Sequence, residues 1–198
     1  MKIIFVGCSF TWGLELGERR EEQRFSRLVC DELGAEEINI SRCGWSNDMI
    51  LHNFLKQPKA DVAVIQWSSI SRWQVWNDNS NEWELLLANE KIKRDKDSYM
   101  KGNMFYRYIY NFRMGIESFW KNVYIAEQYC KENNIKLIGI NKSNDILKTY
   151  TSQYEHLCNY KAKFIKGNII PVPKENTPEW YEYWMKDVHP SPKGHRKI

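Results

Sequence analysis

The chain has 198 residues, of which 42% are hydrophobic and 27% charged. This composition suits one globular domain with a sizeable core and excludes a disordered or collagen-like chain. The formal net charge is +4, charges of both signs alternate along the chain, and no nucleic-acid-reading motif is present, so we expect no nucleic-acid partner. No apolar run approaches the roughly 18 residues of a membrane span, and Met1 to Gly7 lacks the apolar region and cleavage site of a secretory signal.

The cysteine pattern argues against both a disulfide framework and a zinc site. The five cysteines are odd in number and scattered, and no two are spaced as C-x-x-C. His52 and His156 lie on predicted helices without acidic partners at ligand spacing, so we expect no metal. A reducing compartment, the cytoplasm, fits this cysteine usage best, while the oligomeric state stays open.

The first third of the chain alternates strands and helices. Short β-branched runs predict strands over residues 2–6, 37–40 and 60–66. Apolar residues at helical spacing predict an amphipathic helix over 21–33 that ends at Gly34, and Ser46 or Asn47 caps a second helix that Pro58 stops. The predicted order is therefore β-α-β-α-β.

Residues 67–103 interrupt this alternation. The segment is polar, contains Trp67, Trp73, Trp76 and Trp83, and carries one short helical pattern at 82–89. We interpret it as an insertion or lid.

The last part of the chain resumes the alternation. A long helix is predicted over 104–133 with a kink at Gly115, followed by a strand at 135–140. A helix at 144–154, a fifth strand at 168–172 and a short helix at 178–184 complete the pattern. This order favours a single domain over 1–198, a three-layer α/β/α sandwich around a mostly parallel five-stranded sheet, with functional residues at the carboxyl ends of the strands.

Three elements carry residues suited to acyl transfer. Ser9, in the block G-C-S-F-T-W-G, directly follows the first strand, where a tight turn presents a hydroxyl outward. Gly44 follows the second strand, and its unobstructed N–H is suited to stabilising an oxyanion. Near the end, in D-V-H-P-S, His189 can accept the serine proton and Asp187 can orient its imidazole.

These elements, in this order, resemble the SGNH hydrolases, the GDSL-type esterases and lipases. The resemblance implies the flavodoxin-like fold of that family and no cofactor. It also implies that Ser9 is the nucleophile and first oxyanion donor, Gly44 the second donor, and His189 the general base. Asp187 corresponds to the acid of the family's D-x-x-H-P motif.

The oxyanion hole departs from the family pattern after the third strand. The family has G-x-N there, whereas this chain reads Gln66-Trp67-Ser68-Ser69. Ser68 stands at the matching offset and is the expected third donor, with Gln66 and Asn47 as alternatives. Losing one such donor typically costs about 3 kcal/mol of transition-state stabilisation.

Two further departures affect the nucleophile and the acid. Cys8 replaces the family's usual aspartate and is a weaker candidate nucleophile beside Ser9. Asp187 precedes His189 by two residues rather than three. The orienting group is therefore Asp187 or a backbone carbonyl, and the second case leaves a Ser9–His189 dyad.

The aromatic residues suggest how a substrate is held. The expected substrate contacts are Asn47 and three tryptophans, Trp12, Trp67 and Trp184. The indole rings suit stacking on a sugar face or lining an acyl pocket. The alternative is that most aromatic residues fill the core or an oligomer interface. His195 is expected to be a solvated residue of a short final helix.

Together these patterns predict a serine ester hydrolase that cleaves acyl or acetyl esters of a small molecule or glycan, with a preference for deacetylating a carbohydrate. Two alternatives belong to other classes. One is a catalytically weakened module that binds carbohydrate or has a structural role, and the other is an acyltransferase. The chain ends soon after His189, where family members often continue, so a longer protein is also considered.

Overall fold

The computed structural model describes residues 1–86, 96–141, 152, 155–159, 163–164 and 189–198. The strands are β1 (Lys2–Val6), β2 (Glu36–Asn39), β3 (Val62–Trp67), β4 (Trp73–Asn77), β5 (Glu82–Leu86), β6 (Lys136–Asn141) and β7 (Lys163–Phe164). The α-helices are α1 (Ser9–Trp12), α2 (Arg20–Gln23), α3 (Phe25–Leu33), α4 (Asn47–Leu55), α5 (Lys96–Tyr108), α6 (Phe112–Glu132) and α7 (Pro192–His195). Short 3₁₀ helices cover Leu14–Arg19 and Glu155–Leu157. Within these described residues, no helix is both long and apolar enough to cross a bilayer.

The central sheet is parallel, and its strands lie in the order β2-β1-β3-β6. It has four full strands rather than the five expected, and the two-residue strand β7 pairs only with the end of β6. The predicted fifth strand at 168–172 lies outside the described residues. Because all four strands run the same way, their carboxyl ends meet at one edge. The predicted positions of Ser9, Gly44 and Ser68 all follow strands that end at this edge.

Alternating side chains of the strands build two cores, one on each face of the sheet. Ile4 and Ile65 belong to the cluster formed with α4 and α6, whereas Ile3, Phe5 and Val64 belong to the cluster formed with α3. Strands buried on both faces are expected of a parallel sheet covered by helices. The three-layer α/β/α sandwich predicted from the sequence is confirmed.

A buried ion pair ties α3 to the edge strand β2. Arg24 donates to both carboxylate oxygens of Glu37, at 2.9 and 3.1 Å, and Arg27 adds a contact of 3.2 Å. The Glu37 side chain is 1% exposed, so its charge is compensated by two guanidinium groups rather than by water. The same Arg24 separates α2 from α3, where one continuous helix was expected.

The predicted helix at 82–89 is wrong for its described part, because residues 82–86 form strand β5. This strand pairs antiparallel with β4. The cross-strand contact between Trp76 and Trp83, with ring centroids 5.6 Å apart, shows how aromatic pairing overrides the local helical pattern.

The long helix expected over 104–133 is two helices, because the chain breaks at residues 109–111 rather than kinking at Gly115. Asn111 caps α6, since its side-chain oxygen accepts a hydrogen bond from Met114 N at 2.9 Å. Gly115 lies inside α6 and is needed for close packing. An added Cβ there would come within 2.8 Å of Ile70 O.

Two other predicted helices cannot be compared with the structure. The helix at 144–154 lies outside the described residues except for Ser152, and the helix at 178–184 lies outside them entirely.

His195 is buried, which corrects the expectation that it is solvated. It is 2% exposed, its ring stacks on Phe25 with centroids 6.2 Å apart, and its Nδ1 accepts a hydrogen bond from Phe25 N at 3.3 Å. The last helix is therefore docked on the amino-terminal end of α3, and His195 supplies an acceptor for an N–H that the helix itself leaves unbonded.

The buried His195 makes stability depend on pH. Burial, with a smaller effect of the nearby His189, lowers the pKa of His195 to about 4 from the ordinary 6.5. Between these values the unfolded state binds more protons, so this contribution is present above pH 6.5 and is lost as the pH falls towards 4. We expect it to amount to roughly 3 kcal/mol.

Urea unfolding of wild type and His195→Gln from pH 7.5 to 4 measures this effect. The variant should lose less stability over that range than the wild type. His156→Gln, a change at an exposed residue, is the control and should follow the wild-type curve. Parallel curves for wild type and His195→Gln would contradict the assignment.

Candidate active site

The turn after β1 places Ser9 at the carboxyl edge of the sheet. Gly7 is required there by close approach, because an added Cβ would lie 2.6 Å from Thr11 Oγ1 and 2.9 Å from Gln66 Cβ. Ser9 is then the first residue of α1 and is 6% exposed. The chain thus turns sharply from a buried strand into a helix, with the serine at the corner.

Gln66, near the end of β3, holds this turn. Its side-chain oxygen accepts hydrogen bonds from Cys8 N and Cys8 Sγ, both at 3.2 Å, and from Thr11 Oγ1 at 3.3 Å. Gln66 is 1% exposed, so these bonds form away from solvent and are costly to lose. Gln66 was an alternative oxyanion donor expected from the sequence, but its side chain holds the turn that carries Ser9.

His189 contacts Ser9, although the two residues lie 180 positions apart in the sequence. Its Nε2 lies 2.8 Å from Ser9 Oγ, and its ring packs edge-on against Phe10 with centroids 5.1 Å apart. The distance is that of a hydrogen bond, and an imidazole in contact with a serine hydroxyl is the arrangement that activates a nucleophile.

A carboxylate that the sequence analysis missed lies on the other side of the imidazole. Glu15 Oε1 is 3.7 Å from His189 Nδ1, and the two side chains are 27% and 17% exposed. Glu15 is the second residue of the 3₁₀ helix Leu14–Arg19. It follows Ser9 by only six residues, and this short separation was the available sequence signal. Asp187, the predicted acid, lies outside the described residues.

The backbone N–H groups of Ser9 and Gly44 were the oxyanion donors expected from the sequence. Among the described residues, neither Ser9 N nor Gly44 N donates a hydrogen bond. Gly44 has φ +89°, a conformation that favours glycine. It lies in the connection between β2 and α4, as the sequence predicted.

Asn47 and Ser68 are joined to each other. Asn47 Oδ1 accepts from Ser68 N at 2.7 Å, and Asn47 Nδ2 donates to Ser68 O at 3.3 Å. Asn47 is 4% exposed and thus links the start of α4 to the end of β3 rather than facing a ligand. The backbone N–H of Ser68 is occupied, so only its hydroxyl is left to donate.

Arg72 brings a positive charge to this edge. It lies in the turn between β3 and β4 and is half-buried, and its buried Nη1 has no hydrogen-bond partner among the residues that the structure describes. Burial raises the pKa of the Cys8 thiol, but the charge of Arg72 and hydrogen bonds with the Phe10 backbone and with the side chains of Gln66 and Ser9 outweigh this effect, so the net pKa is lowered. The field of Arg72 therefore favours negative charge next to Ser9.

The tryptophans predicted to contact substrate lie in different environments. Trp67 is 1% exposed and packs on Phe119, so it belongs to the core rather than to an open surface. Trp12 is half-buried, with the guanidinium of Arg20 3.9 Å from its ring centroid. Trp184 lies outside the described residues.

A cavity of about 470 Å³ opens beside Gly44. Its walls are the connection after β2 and the β4–β5 hairpin, including Trp45 and Trp83. The sequence analysis included Trp83 in the lid tryptophans but did not place it in a cavity.

Comparison with known proteins bears on the fold. No protein-family model matches the chain, and no curated protein matches it significantly. Among solved structures, the esterase EstA from Pseudoalteromonas sp. matches with a TM-score of 0.57 at 14% identity, over 98% of this chain and 90% of that one. A Desulfitobacterium hafniense protein assigned to the lipolytic G-D-S-L family matches with a TM-score of 0.56 at 12% identity, over 98% and 93%.

The chain has the SGNH hydrolase fold. The lipase Lip_vut3 from a goat rumen metagenome agrees, with a TM-score of 0.54 at 18% identity over 100% of this chain and 93% of that one. The chain spans 59% of the length of another match, TesA, whose TM-score is 0.43. The resemblance stated from the sequence is thus confirmed at the level of the fold.

Proposed function

We propose that this protein is a serine ester hydrolase of the SGNH type. The observation that carries the proposal is the 2.8 Å contact between His189 Nε2 and Ser9 Oγ, at the sheet edge where this fold presents its loops. The solved structures of the same fold include an esterase and a lipase. A catalytically weakened module would have no need to keep the serine and histidine in hydrogen-bonding contact.

The mechanism follows from this contact. His189 Nε2 accepts the proton of Ser9 as Oγ attacks the ester carbonyl, and the resulting imidazolium gives that proton to the departing alcohol. Water, deprotonated by the same histidine, then attacks the acyl-enzyme and releases the acid and free Ser9. Serine, histidine and water supply every proton and electron pair that these steps use.

Backbone N–H groups stabilise the negative charge of the tetrahedral intermediate by donating hydrogen bonds to its oxygen. Ser9 N and Gly44 N are the proposed donors, and the Ser68 hydroxyl is the third in place of the family's asparagine. The positive charge of Arg72 offsets the missing asparagine, since a charge in a half-buried site acts strongly on a nearby oxyanion.

Two carboxylates are assigned to the imidazole. Asp187 is proposed as the acid that hydrogen-bonds His189 Nδ1, as the family resemblance implies. Glu15, at 3.7 Å, is beyond hydrogen-bond distance and stabilises the imidazolium through its charge.

The proposed substrates are acyl or acetyl esters, and among these we favour acetyl groups on a carbohydrate. All five cysteines are free thiols, which is consistent with a reducing, cytoplasmic location.

Acyl transfer to another hydroxyl differs from hydrolysis only in the group that accepts the acyl group. Dependence of the rate on added alcohol distinguishes the two reactions.

Ser9→Ala tests the nucleophile directly. We expect kcat for p-nitrophenyl acetate to fall by at least about 10³-fold, because no hydroxyl remains to attack, while the far-ultraviolet circular dichroism spectrum stays that of the wild type. Cys8→Ala is the matched control at the neighbouring position and should retain most of the activity. A loss of turnover in Cys8→Ala with full activity in Ser9→Ala would assign the nucleophile to Cys8 instead.

Asp187→Asn and Glu15→Gln separate the two carboxylates. Asp187→Asn should lower kcat by about 10³- to 10⁴-fold, because it disturbs both the tautomer and the orientation of His189. Glu15→Gln should lower kcat by about tenfold, since it removes only a partly screened charge. Steady-state kinetics with p-nitrophenyl acetate measures both, and a larger loss in Glu15→Gln would exchange the two roles.

A further inference from the structure

The cavity between the β2–α4 connection and the β4–β5 hairpin has the composition of a ligand site. Its volume of about 470 Å³ falls within the range of small-molecule pockets. Polar and aromatic side chains dominate its walls. They include Arg42, Trp45, Gln74, Glu82 and Trp83, and Gly44 contributes backbone.

This cavity is joined to the catalytic edge by backbone contacts. Arg42 N donates to Gly7 O at 3.3 Å, so the cavity wall is bonded to the residue that precedes the nucleophile turn. Ser46 N donates to Gln74 Oε1 at 2.9 Å, which fixes the hairpin to the same connection. Gly44 belongs both to the cavity wall and to the proposed oxyanion hole.

An exposed indole lines the cavity. Trp83 is 43% exposed, so part of its ring surface is open to solvent. Its orientation is held by Trp76 across the hairpin, with centroids 5.6 Å apart, and by His52, with centroids 6.3 Å apart. A fixed, open aromatic surface beside hydrogen-bonding groups suits a ligand that is apolar on its faces and polar at its edges.

The positive and negative charges of the side chains at the cavity balance each other. Glu84 lies 3.2 Å from Lys101 Nζ, while Arg42 and Glu82 contribute one charge of each sign. A wall with no net charge favours a neutral ligand over an anion or a cation. A neutral ligand with flat C–H faces and hydroxyl edges is a sugar ring.

We infer that this cavity binds the alcohol part of the ester, and that this part is a neutral saccharide whose ring stacks on Trp83. The inference rests on the proposed function and extends it, since it assigns the substrate class and the place where the substrate is held. Because the cavity wall contains Gly44 and is bonded through Arg42 N to Gly7 O, two residues before Ser9, a sugar held in the cavity lies next to the turn that carries Ser9.

Kinetics with two substrates tests the inference. One substrate is xylotetraose bearing O-acetyl groups, followed by acetate release, and the other is p-nitrophenyl acetate, which has no sugar. Trp83→Ala should lower kcat/KM for the acetylated oligosaccharide at least tenfold more than for p-nitrophenyl acetate, mainly through KM. Trp83→Phe, which keeps a ring, should recover part of the difference.

Tyr108→Ala is the control, because Tyr108 is 71% exposed and lies outside the cavity lining. It should leave both substrates unaffected. Equal losses for the two substrates in Trp83→Ala would overturn the inference while leaving the esterase intact. So would wild-type hydrolysis of p-nitrophenyl acetate without hydrolysis of the acetylated oligosaccharide.

A direct binding measurement tests saccharide binding in the cavity independently of ester hydrolysis. Ser9→Ala protein is titrated with acetylated xylotetraose in a calorimeter, with and without Trp83→Ala. Binding that weakens at least tenfold in the Trp83→Ala background supports saccharide binding in the cavity, even if the wild type hydrolyses neither substrate. Absence of hydrolysis of both substrates would overturn the proposed function instead. No binding by the Ser9→Ala protein would overturn the inference.

Discussion

The hydrogen-bond contact between His189 and Ser9 joins residues 180 positions apart, and it depends on how the last ten residues are docked. His195 accepts a hydrogen bond from the first N–H of α3, and Ser191 Oγ accepts one from Gly194 N at 3.1 Å. These contacts hold the chain that follows His189, while the serine side is held by the Gly7 turn. The site is therefore assembled from two independently fixed ends of the chain.

The departures from the family motifs have structural explanations in this fold. Gln66 stands two residues before the position of the missing asparagine, and it bonds the backbone and thiol of Cys8, the residue that replaces the usual aspartate. Asn47 forms hydrogen bonds with both the backbone N–H and the backbone carbonyl of Ser68. Gln66 therefore holds the turn that carries Ser9, and Asn47 holds the end of β3. We propose that two backbone N–H groups, the Ser68 hydroxyl and Arg72 stabilise the negative charge of the intermediate.

The parallel sheet and the edge at which Ser9 lies were predictable because β-branched runs and helical spacing are local signals. The strand at 82–86 was not, since the stretch E-W-E-L-L carries a helical pattern and becomes extended only by pairing with β4. The roles of Glu15, Arg72 and His195 depend on contacts between distant elements or on turn geometry. Spacing along the chain gives no information about contacts between distant elements. The sequence therefore indicated Ser9, Gly44 and His189, and of the other three residues only Glu15 had a sequence signal, its short separation from Ser9.

The central claim is that Ser9 is a nucleophile activated by His189. The most direct measurement is reaction with a fluorophosphonate, followed by intact mass and peptide mapping of the wild type and His189→Ala. The account predicts one adduct per chain on the peptide containing Ser9, formed by attack of Oγ on phosphorus with loss of fluoride, and a strongly slowed reaction in His189→Ala. A folded wild-type protein that takes up no label, or labels at Cys8, would contradict it.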